Sequence, residues 1–426
     1  MHSRRTVTAM ARFIWRCRSG AGAWIAQLTL AALLLSQCSS VPPERPFVDF
    51  QRYIINTRFD GESQVLLADI DGDGGRDIVV MQQRPARLSW YRNPDWAARA
   101  IPVGAIELYQ AEAIDVNGSG VADLAVLGTF VTGAAVTGAA GAAGETGKPG
   151  EFADVEGAAA SERQLRWLEN PWRLDIEPDR AVSWSSHRIA TTTSDTFISL
   201  DPAGTGSISL LATPGQTLLA PSARPSRPWP AVQLQEPWRD VRTTLVYDWD
   251  GDGRDDVLIA RQRSVGVMAL ASRGRFVDWF EVLTTEAPLR MLGVGHSGRA
   301  ARRFIAAIEE SERLVVFRPH PDAALAWQRE VVAERLPGVN GMQVLDFARD
   351  GHDDVLVSLA GDGPSLLVYR YLPDSRVWEP IIVDSGRAGV ASFTTGDVTG
   401  NGFLDIVVLN ATTGQIVLHQ NRGRDI

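Results

Sequence analysis

The chain has 426 residues, 45% of them hydrophobic, and a formal net charge of −9, so it is long enough for one large domain with a sizeable core. An acidic balance of this kind argues against nucleic acid as a partner. Only two cysteines occur, Cys17 and Cys38, which excludes a disulfide framework for everything downstream.

In chain order, a basic stretch (MHSRRTVTAMARFIWRCRSG) is followed by an apolar one (AGAWIAQLTLAALLL) and then by LSQC, Leu35 to Cys38. The apolar stretch is too short for a membrane span, and the order predicts a bacterial signal peptide over residues 1–37. The ending resembles a lipobox, with Cys38 as the lipidated first residue of the mature chain and Gln37 departing from the usual small residue. An ordinary cleaved signal or an uncleaved anchor stays open as the alternative, and a twin-arginine reading of SRRT fits the following residues poorly. Ser39 after the cysteine fits sorting to the outer membrane, so the expected location is the bacterial cell envelope, as an outer-membrane lipoprotein touching the membrane only through its lipid. Residues 38–46 read as a tether.

Phe47 to Thr57 (FVDFQRYIINT) reads as a strand with no neighbour in its own stretch of sequence. The next feature is DIDGDGGRDIVV, from Asp69. Asp69, Asp71, Asp73 and Asp77 occupy loop positions 1, 3, 5 and 9 around Gly74 at position 6, a spacing that wraps carboxylates around Ca2+. An EF-hand would place Glu at position 12, where Val80 stands, and would have helices on both sides. The flanks SQVLLADI and DIVVMQQ read as strands, so the loop joins two strands.

Four further copies follow from Asp115, Asp248, Asp346 and Asp397, and two decayed copies from Asp201 and Gly293. Each has glycine at position 6: Gly74, Gly120, Gly206, Gly253, Gly298, Gly351 and Gly402. Intervals between first positions run from 45 to 53 residues except for one of 86, between Asp115 and Asp201. That excess is a Gly/Ala-rich segment at about 129–162, predicted as a flexible insertion between two strands. A period near 45 residues with several short strands per unit predicts an all-β, seven-bladed β-propeller of four-stranded antiparallel blades over residues 47–426. The last blade runs out of chain after QIVLHQNRG, and Phe47–Thr57 is the expected donor of its fourth strand.

This register of strand, DxDxDGxxD loop and strand resembles the FG-GAP/VCBS repeat family, the calcium-loop propellers also found in integrin α-subunit heads. The resemblance implies Ca2+ ligands at positions 1, 3, 5 and 9 with a carbonyl from position 7. Blade 1 matches fully, with Asp69, Asp71, Asp73 and Asp77 and the Gly75 carbonyl. Blade 4 matches with Asp248, Asp250, Asp252 and Asp256 and the Arg254 carbonyl. Blade 2 (Asp115, Asn117, Ser119, Asp123) and blade 7 (Asp397, Thr399, Asn401, Asp405) keep two carboxylates each and predict weaker sites. Blade 6 keeps Asp346, Asp350 and Asp354 but has Ala348 at position 3. Two to five structural Ca2+ ions are expected, each cross-linking consecutive strands.

Outside these loops no nucleophile elbow, zinc motif or nucleotide fingerprint is present in the mature chain. Trp90 and Trp167 fall at matching third-strand positions and read as packing, as does His187, whereas His296 and His352 read as solvated loop residues. Trp229 and Trp238 lie in a Pro-rich stretch, where an aromatic side chain either props an irregular blade or stacks on a sugar ring or a partner's side chain. Two functions follow. The first is a non-catalytic module binding a protein or a glycan. The second is a polysaccharide-active lyase or hydrolase, which a cleft with spare carboxylates or a His/Arg/Tyr cluster would favour.

Overall fold

The computed structural model describes residues 49–56, 63–131, 161–172, 183–206, 208–213, 217–234, 241–271, 275–298, 302–320, 327–360, 363–386, 389–410 and 412–423. The expected signal peptide, Cys38, the tether and Trp238 lie outside them. The described strands form seven four-stranded antiparallel sheets, each built from strands consecutive in sequence except the last. Blades 1 to 6 span residues 63–101, 105–191, 196–233, 243–284, 289–333 and 339–384. Blade 7 takes three strands from 390–421, and its fourth is Phe50–Asn56, paired antiparallel with Gln415–Asn421. The N-terminal strand therefore closes the ring, as expected.

Second strands such as Asp77–Gln82, Asp256–Ala260 and Asp405–Asn410 are buried almost throughout. They are covered on both faces by neighbouring blades, which is why they read as continuous Val/Ile/Leu runs instead of alternating. Seven apolar clusters bridge successive blades. The last, in which Val65, Ile78 and Val80 of blade 1 pack with Val398, Val407 and Leu409 of blade 7, completes the circle. Trp90 and Trp167 are each 2% exposed and sit in these seams.

The insertion is shorter at both ends than the sequence suggested. Thr129 to Val131 continue the strand Asp123–Val131, and Ser161 and Glu162 open the strand Ser161–Glu169. Phe130 is buried there with the Arg166 guanidinium over its ring, and this packing holds those ends in the sheet. Residues 132–160 lie outside the described residues.

Blade 5 also requires a correction. In the other blades the residue before position 1 pairs with position 9, as Ala68 does with Asp77. In blade 5 the same pairing joins Gly295 to Phe304, so position 1 is His296 and not Gly293. Gly298 has a φ of 76°, but it follows the Ser297–Arg302 pair of a tighter hairpin. Its left-handed conformation belongs to a different turn.

Candidate metal loops, blade clamps and an inter-blade cleft

Each loop is shaped first by its own backbone. In blades 1, 2, 3, 4, 6 and 7 the position 6 glycine has φ between 78° and 87°, a region closed to most side chains. Its N–H donates to the position 1 carboxylate in all six: Asp69, Asp115, Asp201, Asp248, Asp346 and Asp397. Asp201 of blade 3 keeps this bond although the rest of its ligand set is gone.

The two acidic loops gather different trios. In blade 1, carboxylate oxygens of Asp69, Asp71 and Asp77 lie within 4.8 Å of one another. In blade 4 the trio is Asp248, Asp250 and Asp252. Asp73 is turned toward the Gly75 N–H at 2.8 Å, and Asp256 accepts the Trp249 N–H at 3.0 Å. The Arg254 N–H donates to Asp252 at 2.9 Å. A set of three carboxylates suits a hard cation. In blade 1, part of that charge is already met by Arg92, whose Nε donates to Asp71 at 2.6 Å and whose Nη2 lies 3.6 Å from Asp73.

The weaker loops are held by local contacts. Asn117 and Asp115 both accept the Ser119 N–H at 3.0 Å. Thr399 donates its hydroxyl and its N–H to Asp405, while Asn401 donates its side-chain amide to the Asn421 carbonyl. Asp350 accepts the His352 N–H at 3.0 Å and lies 3.5 Å from Arg370.

Position 9 also accepts backbone N–H groups. Asp77 accepts the Ile70 N–H and the Asn93 N–H, Asp123 accepts Val116 and Asn170, and Asp405 accepts Val398 and Asn421. Each joins the loop to the end of the third strand. All three are fully buried, and burial pushes Asp77 and Asp123 up to about 6. Burial likewise pushes Asp354, which accepts the Tyr371 N–H, up to about 8.

From that latch the third-strand asparagines reach the preceding blade. Asn93 donates to the Val398 carbonyl, Asn170 to Ile70 and Asn421 to Phe347. Elsewhere position 8 serves instead: Asp255 accepts the Asp201 N–H, and Asp353 accepts the His296 N–H. Between blades 2 and 3 the Gln110 amide bonds both the N–H and the carbonyl of Phe197, and Glu112 accepts the Ser199 N–H. Between blades 4 and 5 the Tyr247 hydroxyl meets His296 Nε2 at 2.8 Å. Every seam thus has a polar clamp beside its apolar cluster. The sequence did display the recurring Asn of RNP, ENP and QNR and the doubled Asp of RDD and HDD, but calcium spacing gives them no role.

His296 is therefore part of a clamp, and His352 is partnered too, with its Nδ1 3.1 Å from Ser297 Oγ. The Arg303 guanidinium lies over the Tyr247 and Trp249 rings, which assembles a Tyr/His/Arg group at the junction of blades 4 and 5.

His187 also has a role beyond packing. A cleft of about 580 Å3 opens between blades 2 and 3, lined by Asn117 and Ser119 of the blade 2 loop, by Glu169 and His187, and by Pro225 and Ser226. The His187 ring stacks on Trp167 at 4.8 Å, and its Nε2 lies 2.9 Å from Glu169 Oε2. Trp229 is 4% exposed and props the irregular blade, with its indole N–H donating to the Pro225 carbonyl at 2.9 Å.

Residues 314–408 match the family model described as FG-GAP-like repeat. No curated protein matches the chain. Among solved structures, one chain from the "Crystal structure of BBS1N in complex with ARL6DN, soaked with lead" aligns with a TM-score of 0.52 at 11% identity, over 88% of this chain and 98% of that one. The mercury-soaked crystal of the same complex gives a TM-score of 0.49 at 12% identity, over 89% and 98%. The first of these likenesses, at 11% identity, speaks for the fold alone.

Proposed function

The chain carries FG-GAP-like repeats on a seven-bladed β-propeller, and from that premise we propose a calcium-stabilised, non-catalytic module of the bacterial cell envelope that binds a protein or a glycan. The observation that carries the metal part is the pair of carboxylate trios in blades 1 and 4. Asp69, Asp71 and Asp77, and Asp248, Asp250 and Asp252, would hold the ions, and a bound Ca2+ would offset the mutual repulsion of the carboxylates and tie consecutive strands. Blades 2, 6 and 7 offer fewer carboxylates and would bind more weakly. The binding role is supported by the way the clamps fix all seven blades into one rigid frame, on which loops and clefts keep their geometry. The signal-peptide reading of residues 1–37 and lipidation at Cys38 would place this frame at the outer membrane, where millimolar-range calcium suits loops of modest affinity.

The second reading, a polysaccharide-active lyase or hydrolase, is favoured by one observation, the Tyr247–His296–Arg303 group. One experiment separates the two. The protein is presented to a glycan array and to envelope extracts, in calcium and in EDTA, with released products followed by mass spectrometry. Calcium-dependent capture without product is expected. Shortened or unsaturated glycan fragments would make the protein an enzyme, and equal capture in both conditions would remove calcium from the account.

A further inference from the structure

We propose that the cleft between blades 2 and 3 is a binding site for a neutral saccharide. The inference rests on the binding-module reading and gives that module a location and a ligand class.

The cleft exists because blade 2 departs from blade 1 in matched positions. Two residues after its buried tryptophan, blade 1 has Arg92, which bends over its loop onto Asp71. At the equivalent position after Trp167, blade 2 has Glu169. In step with that change, loop positions 3 and 5 are Asn117 and Ser119 where blade 1 has Asp71 and Asp73. Among the described residues no arginine lines the mouth, and the loop contributes an amide and a hydroxyl to the lining.

The opposite wall is built as well. Pro225 and Ser226 belong to the Pro-rich connection of blade 3, which Trp229 pins to blade 2 through its N–H to the Ile189 carbonyl at 3.0 Å and through its indole N–H to Pro225. The floor is equally fixed: Trp167 is buried, His187 stacks on it, and Glu169 holds His187. Asn117 Nδ2 donates to the other Glu169 oxygen at 3.4 Å. These bonds set the orientation of the polar groups before any ligand arrives.

The chemistry of that lining selects the ligand. A carboxylate, an amide and two hydroxyls offer acceptors and donors side by side, as vicinal hydroxyls require. The imidazole face and the aliphatic proline ring add surface against which the C–H face of a sugar ring can pack. Among the described residues the lining includes no lysine or arginine, and Glu169 with nearby Asp115 would repel a uronate or sulfate. The Glu169 charge is already engaged by His187, which weakens the case for an ammonium ligand. The volume lies in the usual range for small-molecule sites, roughly 300–1,000 Å3.

The test is calorimetric titration of the whole protein with three probes: neutral hexose oligosaccharides, uronate-containing oligosaccharides, and choline. Saturable heat is expected from the neutral set alone. Glu169→Gln should weaken it at least tenfold, and Ser226→Trp, a substitution on an exposed wall, should abolish it with the melting temperature unchanged. Undiminished binding in both variants would overturn the cleft while leaving the binding-module reading in place. Heat only from uronate or choline would overturn the ligand class. Silence from every probe would overturn the site, whereas failure of the module reading would show separately, as absence of any captured partner in the array and extract experiment.

Discussion

The Asp405 carboxylate accepts N–H groups from Val398, Thr399 and Asn421 while lying fully buried, and Asp77 and Asp123 each accept two such groups. Removing such an acceptor strands buried donors at about 1–3 kcal/mol each. Asp405→Ala should therefore cost about 3 kcal/mol even in the absence of calcium. The sequence shows the aspartate but not this second use, because a DxDxDGxxD spacing looks the same whether position 9 serves an ion, a latch or both. Glu112 is a different case. Burial raises its pKa to about 7, although it accepts hydrogen bonds from Gln110 and Ser199. A carboxyl group with a folded pKa above its unfolded value of about 4.3 carries no penalty below that value and a full penalty once pH exceeds the folded pKa. Stability should fall as pH rises from about 4.3 through about 7, and Glu112→Gln should remove only the share of that slope due to Glu112, leaving the shares of Asp77, Asp123 and Asp354. Thermal melts at pH 4.5 and pH 8 check this: variant and wild type should agree at the lower pH, with the variant more stable at the higher. A wild-type advantage at pH 8 would contradict it.

At the level of strands and loops, the first two strands of blade 1 were legible nearly to the residue, since a turn separates them and the second is an unbroken apolar run. Blade 5 was not, because Gly298 sits where a position 6 glycine was expected and yet serves a tight hairpin. The strand pairing makes His296 the first loop position, and the intervals from Asp248 to His296 and on to Asp346 become 48 and 50 residues, more even than the glycine-based count. The clamps of Gln64 and Gln110 were equally hidden. Each amide pairs with the backbone N–H and carbonyl of the next blade's first strand, and nothing in a single strand's pattern signals a partner across a seam. One loop also has a mismatch. At position 4 the loops of blades 1, 2, 3, 4 and 7 use glycine with φ between 62° and 78°, whereas blade 6 holds Arg349 at 54°. A left-handed non-glycine residue costs roughly 1–2 kcal/mol. Part of that is offset by the arginine's contact with the Phe403 ring. Arg349→Gly is expected to raise stability by about 1 kcal/mol, measured by urea denaturation; a loss would show that the ring contact outweighs the backbone strain.

The whole ring was legible for a topological reason: seven loops with a missing final strand leave only Phe47–Thr57 to complete the circle. The structure supplies it as Phe50–Asn56, and Arg422 donates its N–H to the Asp49 carbonyl at the same seam. The cleft and the clamps arise between blades, where residues such as Asn170 and Ile70 meet 100 positions apart, so no local pattern could expose them. The frame is thus secured in two ways, by buried hydrogen-bonded latches and by loops proposed to take calcium, with Asp77 belonging to both. Thermal unfolding of the protein across a calcium titration, beside Asp250→Ala and Asp405→Ala, tests that division most directly. Calcium should raise the wild-type midpoint, Asp250→Ala should lose part of that rise while matching wild type in EDTA, and Asp405→Ala should melt lower in both conditions. A wild-type midpoint indifferent to calcium, or an Asp250→Ala deficit equal with and without the ion, would contradict it.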